Sequence, residues 1–162
     1  MHRRTFLTWC GATSVALYAS VPLLPLQRRF DAASNTLQSI LRHMFPPASS
    51  LPADTALLAF IRETVFHPSY DRDIRLFVIE GAETFRRDYP AFERAAPEEK
   101  ERLLRAYEAT RYGAAWLSRL TVLALEGLLA APIYGANPKG SHWDALHTKG
   151  GVPLPKTRYI WE

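Results

Sequence analysis

Apolar residues recur at helical spacing through most of the chain. Beyond Asp31, Leu37, Ile40, Leu41 and Met44 fall three or four apart, the signature of one buried helix face. Pro46 and Pro47 end that helix, because proline disfavours α geometry in the residue before it. A second helix carries Leu57, Leu58, Ile61 and Val65, capped by Ser49 or Ser50 with Pro52 near its first turn, and stops before Pro68. A third spans about residues 71–88, capped by Ser69 or Asp71. Its stripe is Ile74, Phe77, Val78, Gly81, Ala82 and Phe85, and the small Gly81–Ala82 pair admits a neighbouring helix closely. Arg75, Glu83, Arg86 and Arg87 lie largely off this stripe, and Arg86–Arg87 reads as solvated surface. Phe92 follows in a loop as a core plug. Pro97, Glu98 and Glu99 open a fourth helix, with proline in the first turn and acids at the positive end of the dipole. Its narrow face is Leu103, Leu104 and Tyr107. Beyond Gly113, which kinks or separates the two parts, Trp116, Leu117, Leu120, Val122, Leu123, Leu125, Leu128 and Leu129 make a segment apolar on nearly every side, the expected central helix. No run alternates as a strand would. The pattern predicts an all-α fold, a small antiparallel helical bundle with an irregular C-terminal tail.

The two ends depart from this pattern. Residues 131–162 hold half of the glycines, with Pro132, Pro138, Pro153 and Pro155, and show no helical stripe. Aromatics continue there at Tyr134, Trp143, Tyr159 and Trp161, so the segment is expected to pack on the bundle or on a partner. At the other end, Arg3 and Arg4 precede Phe6 and Leu7, and no charge appears from Phe6 to Leu26. A paired arginine, Phe-Leu and an apolar run read as a twin-arginine export signal. Pro22, Pro25 and several small polar residues leave the run short of a membrane-spanning helix. The expected organisation is a leader at 1–30, a bundle at 31–130 and a tail at 131–162, with the leader either cleaved or retained.

Charge and cysteine content narrow the function. The formal net charge of +4 arises in the leader, because Asp31 to Glu162 holds 16 basic and 16 acidic residues. That balance gives no support for a nucleic-acid-binding surface. The one cysteine, Cys10, lies in the leader, so the rest of the chain has no disulfide, thiolate nucleophile or cysteine metal site. Gly-x-Gly-x-x-Gly, Gly-x-Ser-x-Gly and Cys-x-x-Cys-His are absent. His142, Asp144 and His147 form the best potential metal cluster, but nearby Gly140 and Gly150 favour a short turn over the helix that would align the two histidines. His43 and His67 suit helix C-termini, where the dipole favours a cation. No catalytic constellation emerges.

One segment resembles a known family. Gly127-Leu128-Leu129, then Ala131-Pro132-Ile133-Tyr134-Gly135-Ala136-Asn137, Trp143 and Gly150-Gly151 look like the C-terminal signature of the gluconate 2-dehydrogenase subunit 3 family. Phe92 ahead of Pro97-Glu98-Glu99 is consistent with it. Ala131 replaces the usual aspartate and Ala136 the second glycine, so any glycine-only backbone angle is not needed at 136. The resemblance implies a small helical subunit with a twin-arginine leader. Such a subunit accompanies an FAD-dependent sugar, polyol or sugar-acid dehydrogenase, often with a multihaem cytochrome c. It carries over no catalytic residue, since FAD and the catalytic histidines belong to the large subunit. Pro132, Tyr134, Gly135, Asn137, Trp143 and Gly150 carry over as motif positions shaping a docking tail. Tyr159 and Trp161 join them as exposed-tail aromatics of the kind that anchor interfaces. Tyr134 and Trp143 either dock a partner, cap this chain's own bundle, or do both with different faces.

The expectation is therefore a non-catalytic accessory subunit in the periplasm, at the inner membrane through its complex, holding no cofactor itself. It would assist assembly of the catalytic subunit and its export through the twin-arginine translocase. The alternatives are a membrane-anchoring subunit that retains its leader, and a small periplasmic metal protein using His142, Asp144 and His147.

Overall fold

The computed structural model describes residues 23–47 and 49–158. Six α-helices run through them: α1 Leu23–Met44, α2 Thr55–Phe66, α3 Arg72–Asp88, α4 Pro97–Glu108, α5 Arg111–Leu128 and α6 Ser141–Ala145. Short 3-10 turns occupy Phe92–Arg94, Pro132–Tyr134 and Pro138–Gly140. There is no strand among the described residues, and the fold is an all-α helical bundle.

The bundle begins earlier than the pattern predicts. The expected bundle starts at residue 31, yet α1 is continuous from Leu23. Leu26 and Phe30 are 4% and 1% exposed, on the same buried face as Leu37, Ile40 and Leu41. Phe30 meets Phe66 of α2 edge-on at 5.7 Å between ring centroids. Arg29 points outward and forms a two-pronged ion pair with Glu83 of α3, at 2.9 and 2.7 Å. Residues 23–30 therefore belong to the folded body.

α1 and α5 organise the interior. α1 packs on α2, α3 and α4, while α5 packs on the same three from the other side. Where the two faces meet, Val78, Ile79, Ala82 and Phe85 of α3 interleave with Trp116, Leu120 and Leu123 of α5. Gly81 is the point of closest approach. A Cβ there would overlap the Trp116 indole, whose Nε1–H donates to the Val78 carbonyl at 3.1 Å. Phe85 is the hub of an aromatic cluster with Tyr89, Phe92, Tyr107 and Trp116, at centroid distances of 4.9, 4.9, 5.1 and 6.2 Å. Phe92 plugs this cluster from its 3-10 turn, as predicted. Burial of Tyr107 leaves its hydroxyl without a partner and raises its pKa.

Four local features differ from expectation. Asp54, rather than Ser49 or Ser50, caps α2 by accepting the Leu57 N–H at 2.9 Å. The break between α4 and α5 falls at Thr110, whose hydroxyl accepts the Gly113 N–H, and not at Gly113 itself. Arg75 is buried, not off the stripe. Its guanidinium donates to the carbonyls of Val65, His67 and Tyr70 at 2.7, 2.9 and 3.2 Å, closing the C-terminal end of α2 with a cation where the dipole favours one. Asp71 caps α3 through the N–H groups of Asp73 and Ile74, one of the two predicted caps. α5 is also not apolar to its full depth: Tyr112, Val122 and Leu129 remain substantially exposed. No helix among the described residues is long and apolar enough to cross a membrane.

Candidate functional site

The tail is built around the end of α5. A helix leaves its last carbonyls without intrahelical donors. Here three successive carbonyls are met by three side chains of the tail. The Leu128 carbonyl accepts from His142 Nδ1 at 2.8 Å, the Leu129 carbonyl from Trp143 Nε1 at 2.9 Å, and the Ala130 carbonyl from Asn137 Nδ2 at 3.0 Å. Because a carbonyl only accepts, His142 carries its proton on Nδ1. Asn137 is fully buried, and its Oδ1 in turn accepts the His142 N–H at 3.0 Å. Both ends of that amide are thus used, and the side chain ties Ala130 to α6 across the intervening turn.

The other motif positions serve the same construction. Pro132 opens a 3-10 turn and Tyr134 packs half-buried against the core. Gly135 ends that turn in the left-handed region, φ 90°, and lies exposed. Ala136 is fully buried with no positive φ, in keeping with the loss of glycine there. Gly150 lies against the Trp143 ring so closely that a Cβ would overlap it. Past the end of α6, His147 takes φ 51°, while the Thr148 N–H reaches back to the Trp143 carbonyl at 2.9 Å. This is a Schellman close with histidine where glycine is usual. Past the turn, Arg158 donates to the Ile133 carbonyl at 2.7 Å and faces Glu63 of α2 at 3.6 Å, which returns the chain to the bundle.

The predicted docking residues therefore divide into two roles. Asn137, Trp143, Gly150 and Pro132 shape the tail onto this chain's own bundle. What the tail then presents outward is a groove of about 530 Å³ floored by Trp143 and lined by Leu129, Leu146, Val152 and Leu154. Val152 is 91% exposed, and the other three aliphatics are exposed by more than a third. Lys149 lines the same groove, and Lys139 and Lys156 are exposed on the same tail; none of the three makes an ion pair among the described residues. Sequence reading missed His142 as a cap, since its acceptor lies 14 residues earlier and no local pattern marks it.

Arg3, Arg4, Phe6, Leu7, Tyr159 and Trp161 lie outside the described residues. The suggested metal cluster is not assembled: His142 is buried on the Leu128 carbonyl, while Asp144 and His147 face solvent. Among the described residues, no three His, Cys, Asp or Glu side chains are arranged to hold a metal ion. His43 meets Glu101 at 3.0 Å, bridging the end of α1 to α4. Comparison with protein-family models, curated proteins and solved structures finds no match to this chain.

Proposed function

We propose that this chain is a non-catalytic accessory subunit of a periplasmic FAD-dependent sugar, polyol or sugar-acid dehydrogenase complex. It assists assembly of the catalytic subunit and carries it out of the cytoplasm through the twin-arginine translocase. A multihaem cytochrome c is a further partner of such complexes. FAD and haem belong to the partner subunits.

The observation that carries this reading is the pairing, in one chain, of an Arg3-Arg4-Thr5-Phe6-Leu7 leader with the motif running from Pro132 to Gly150. The twin-arginine route moves folded proteins, so a folded companion can travel on a label it does not itself bear. The groove above Trp143 supports the reading physically. Leu129, Leu146, Val152 and Leu154 stand exposed beside Trp143, apolar surface that a docked partner would cover.

The test is expression of the catalytic subunit with and without this chain. With it, the catalytic subunit should be soluble, flavin-loaded and periplasmic; without it, insoluble or retained in the cytoplasm. A soluble, flavin-loaded and exported catalytic subunit in its absence contradicts the proposal.

A further inference from the structure

The groove floored by Trp143 has a charge as well as a shape. Residues 131–158 hold Lys139, Lys149, Lys156 and Arg158 against a single acid, Asp144. Three of the chain's four lysines are here, although the bundle draws its cations almost wholly from arginine. In the bundle, Arg29, Arg62, Arg102 and Arg105 pair with acids, and Arg75 with carbonyls. Lys139, Lys149 and Lys156 are exposed and make no ion pair among the described residues. A second exposed apolar edge, where Tyr112 packs on Phe77 beside Val122, is flanked by Asp73 and Arg119 and has no such bias.

Resting on the accessory-subunit reading, we infer that the groove receives a segment of the catalytic subunit in which apolar side chains are flanked by aspartate or glutamate. The apolar side chains would fill the space between Leu129, Leu146 and Leu154 over the Trp143 ring. The acids would face Lys149, which lines the groove, and Lys156, exposed one residue beyond the lining Pro155. The excess of lysine over acid along the tail favours an acidic occupant. Rim charges of this kind act mainly on the encounter rate and on partner choice, and their effect falls as salt rises.

The experiment uses the full chain co-expressed with the catalytic subunit. A photo-crosslinking phenylalanine analogue is placed at Val152, and at Glu98 on α4 as a control, and the linked peptides are sequenced by mass spectrometry. Cross-linking at Val152, absent at Glu98, should capture a segment of the catalytic subunit with apolar residues next to acids. Independently, K149E/K156E should weaken the complex about tenfold at low salt, with a smaller effect at high salt and unchanged melting of the isolated chain. Several outcomes overturn the inference: a captured segment without acids, a link within the chain or to a second copy, or a complex indifferent to K149E/K156E. Lysine-dependent binding of the chain to phosphatidylglycerol vesicles would also overturn it, by assigning the patch to lipid. If the unaltered chain forms no complex at all, the accessory-subunit reading falls with it; if the complex forms and cross-links elsewhere, only the groove assignment falls.

Discussion

Gly81 and Asn137 show how much of this fold hangs on single side chains, or on the lack of one. At Gly81 two effects compete. Alanine in a helix interior gains roughly 1 kcal/mol over glycine in propensity. Its methyl, however, would overlap an indole held by its hydrogen bond to Val78, and overpacking typically costs about 1–3 kcal/mol. The clash should win: Gly81→Ala is expected to lose about 1–2 kcal/mol in denaturant unfolding of the isolated chain, whereas propensity alone would predict a gain. Asn137→Ala leaves the Ala130 carbonyl and His142 N–H without their partners, each worth about 1–3 kcal/mol when buried. A loss of about 2–4 kcal/mol is expected in the same measurement. It would appear in the absence of any partner, because Asn137 builds the tail and does not itself face outward.

At the scale of elements, the first eight residues of α1 are the clearest case. Starting the chain at Leu23 retains Leu26, Arg29 and Phe30; starting it at Asp31 removes them. Burying an aliphatic or phenyl side chain contributes about 1.5–3 kcal/mol, so the shorter form should be less stable by about 4–6 kcal/mol, or fail to fold. Thermal melting of the two forms checks this. The Arg29–Glu83 pair adds a pH dependence. The Arg29 hydrogen bond holds the Glu83 carboxyl below the usual carboxylate range. A depressed folded pKa stabilises above the unfolded value of about 4.3 and is lost as pH falls through the folded one. Both groups are partly solvated, so the contribution is about 0.5–1 kcal/mol. Glu83→Gln should cost that much at pH 7, and the difference from the parent should close on acidification below about pH 4.

Those same elements show what could be read from the chain alone. The faces Leu37/Ile40/Leu41 and Val78/Gly81/Ala82/Phe85, the Phe92 plug and the Asp71 cap follow from spacing and local chemistry, and all stand in the structure. The start of α1 did not, because Arg28, Arg29 and Asp31 interrupt the apolar pattern while sitting on the solvent side of an unbroken helix. Arg75 was misplaced because its partners are backbone carbonyls, which leave no trace in side-chain pattern. The tail was legible as irregular, aromatic and ordered. Its design was not, since Asn137, His142 and Trp143 bond across 7 to 14 residues to carbonyls that any sequence would possess.

For the whole molecule, the central claim is that this folded bundle lends its leader to a larger catalytic subunit. The tail, capped onto α5, offers a groove lined by Trp143, Leu129, Leu146, Val152, Leu154 and Lys149. The helices around it offer no assembled metal cluster among the described residues. The most direct measurement is fractionation of cells that co-express the catalytic subunit with this chain carrying Arg3→Lys and Arg4→Lys. The substitution keeps the charge and removes only the paired arginines that the translocase reads. The account predicts a catalytic subunit that is flavin-loaded, bound to this chain and confined to the cytoplasm. A catalytic subunit that still reaches the periplasm would contradict it.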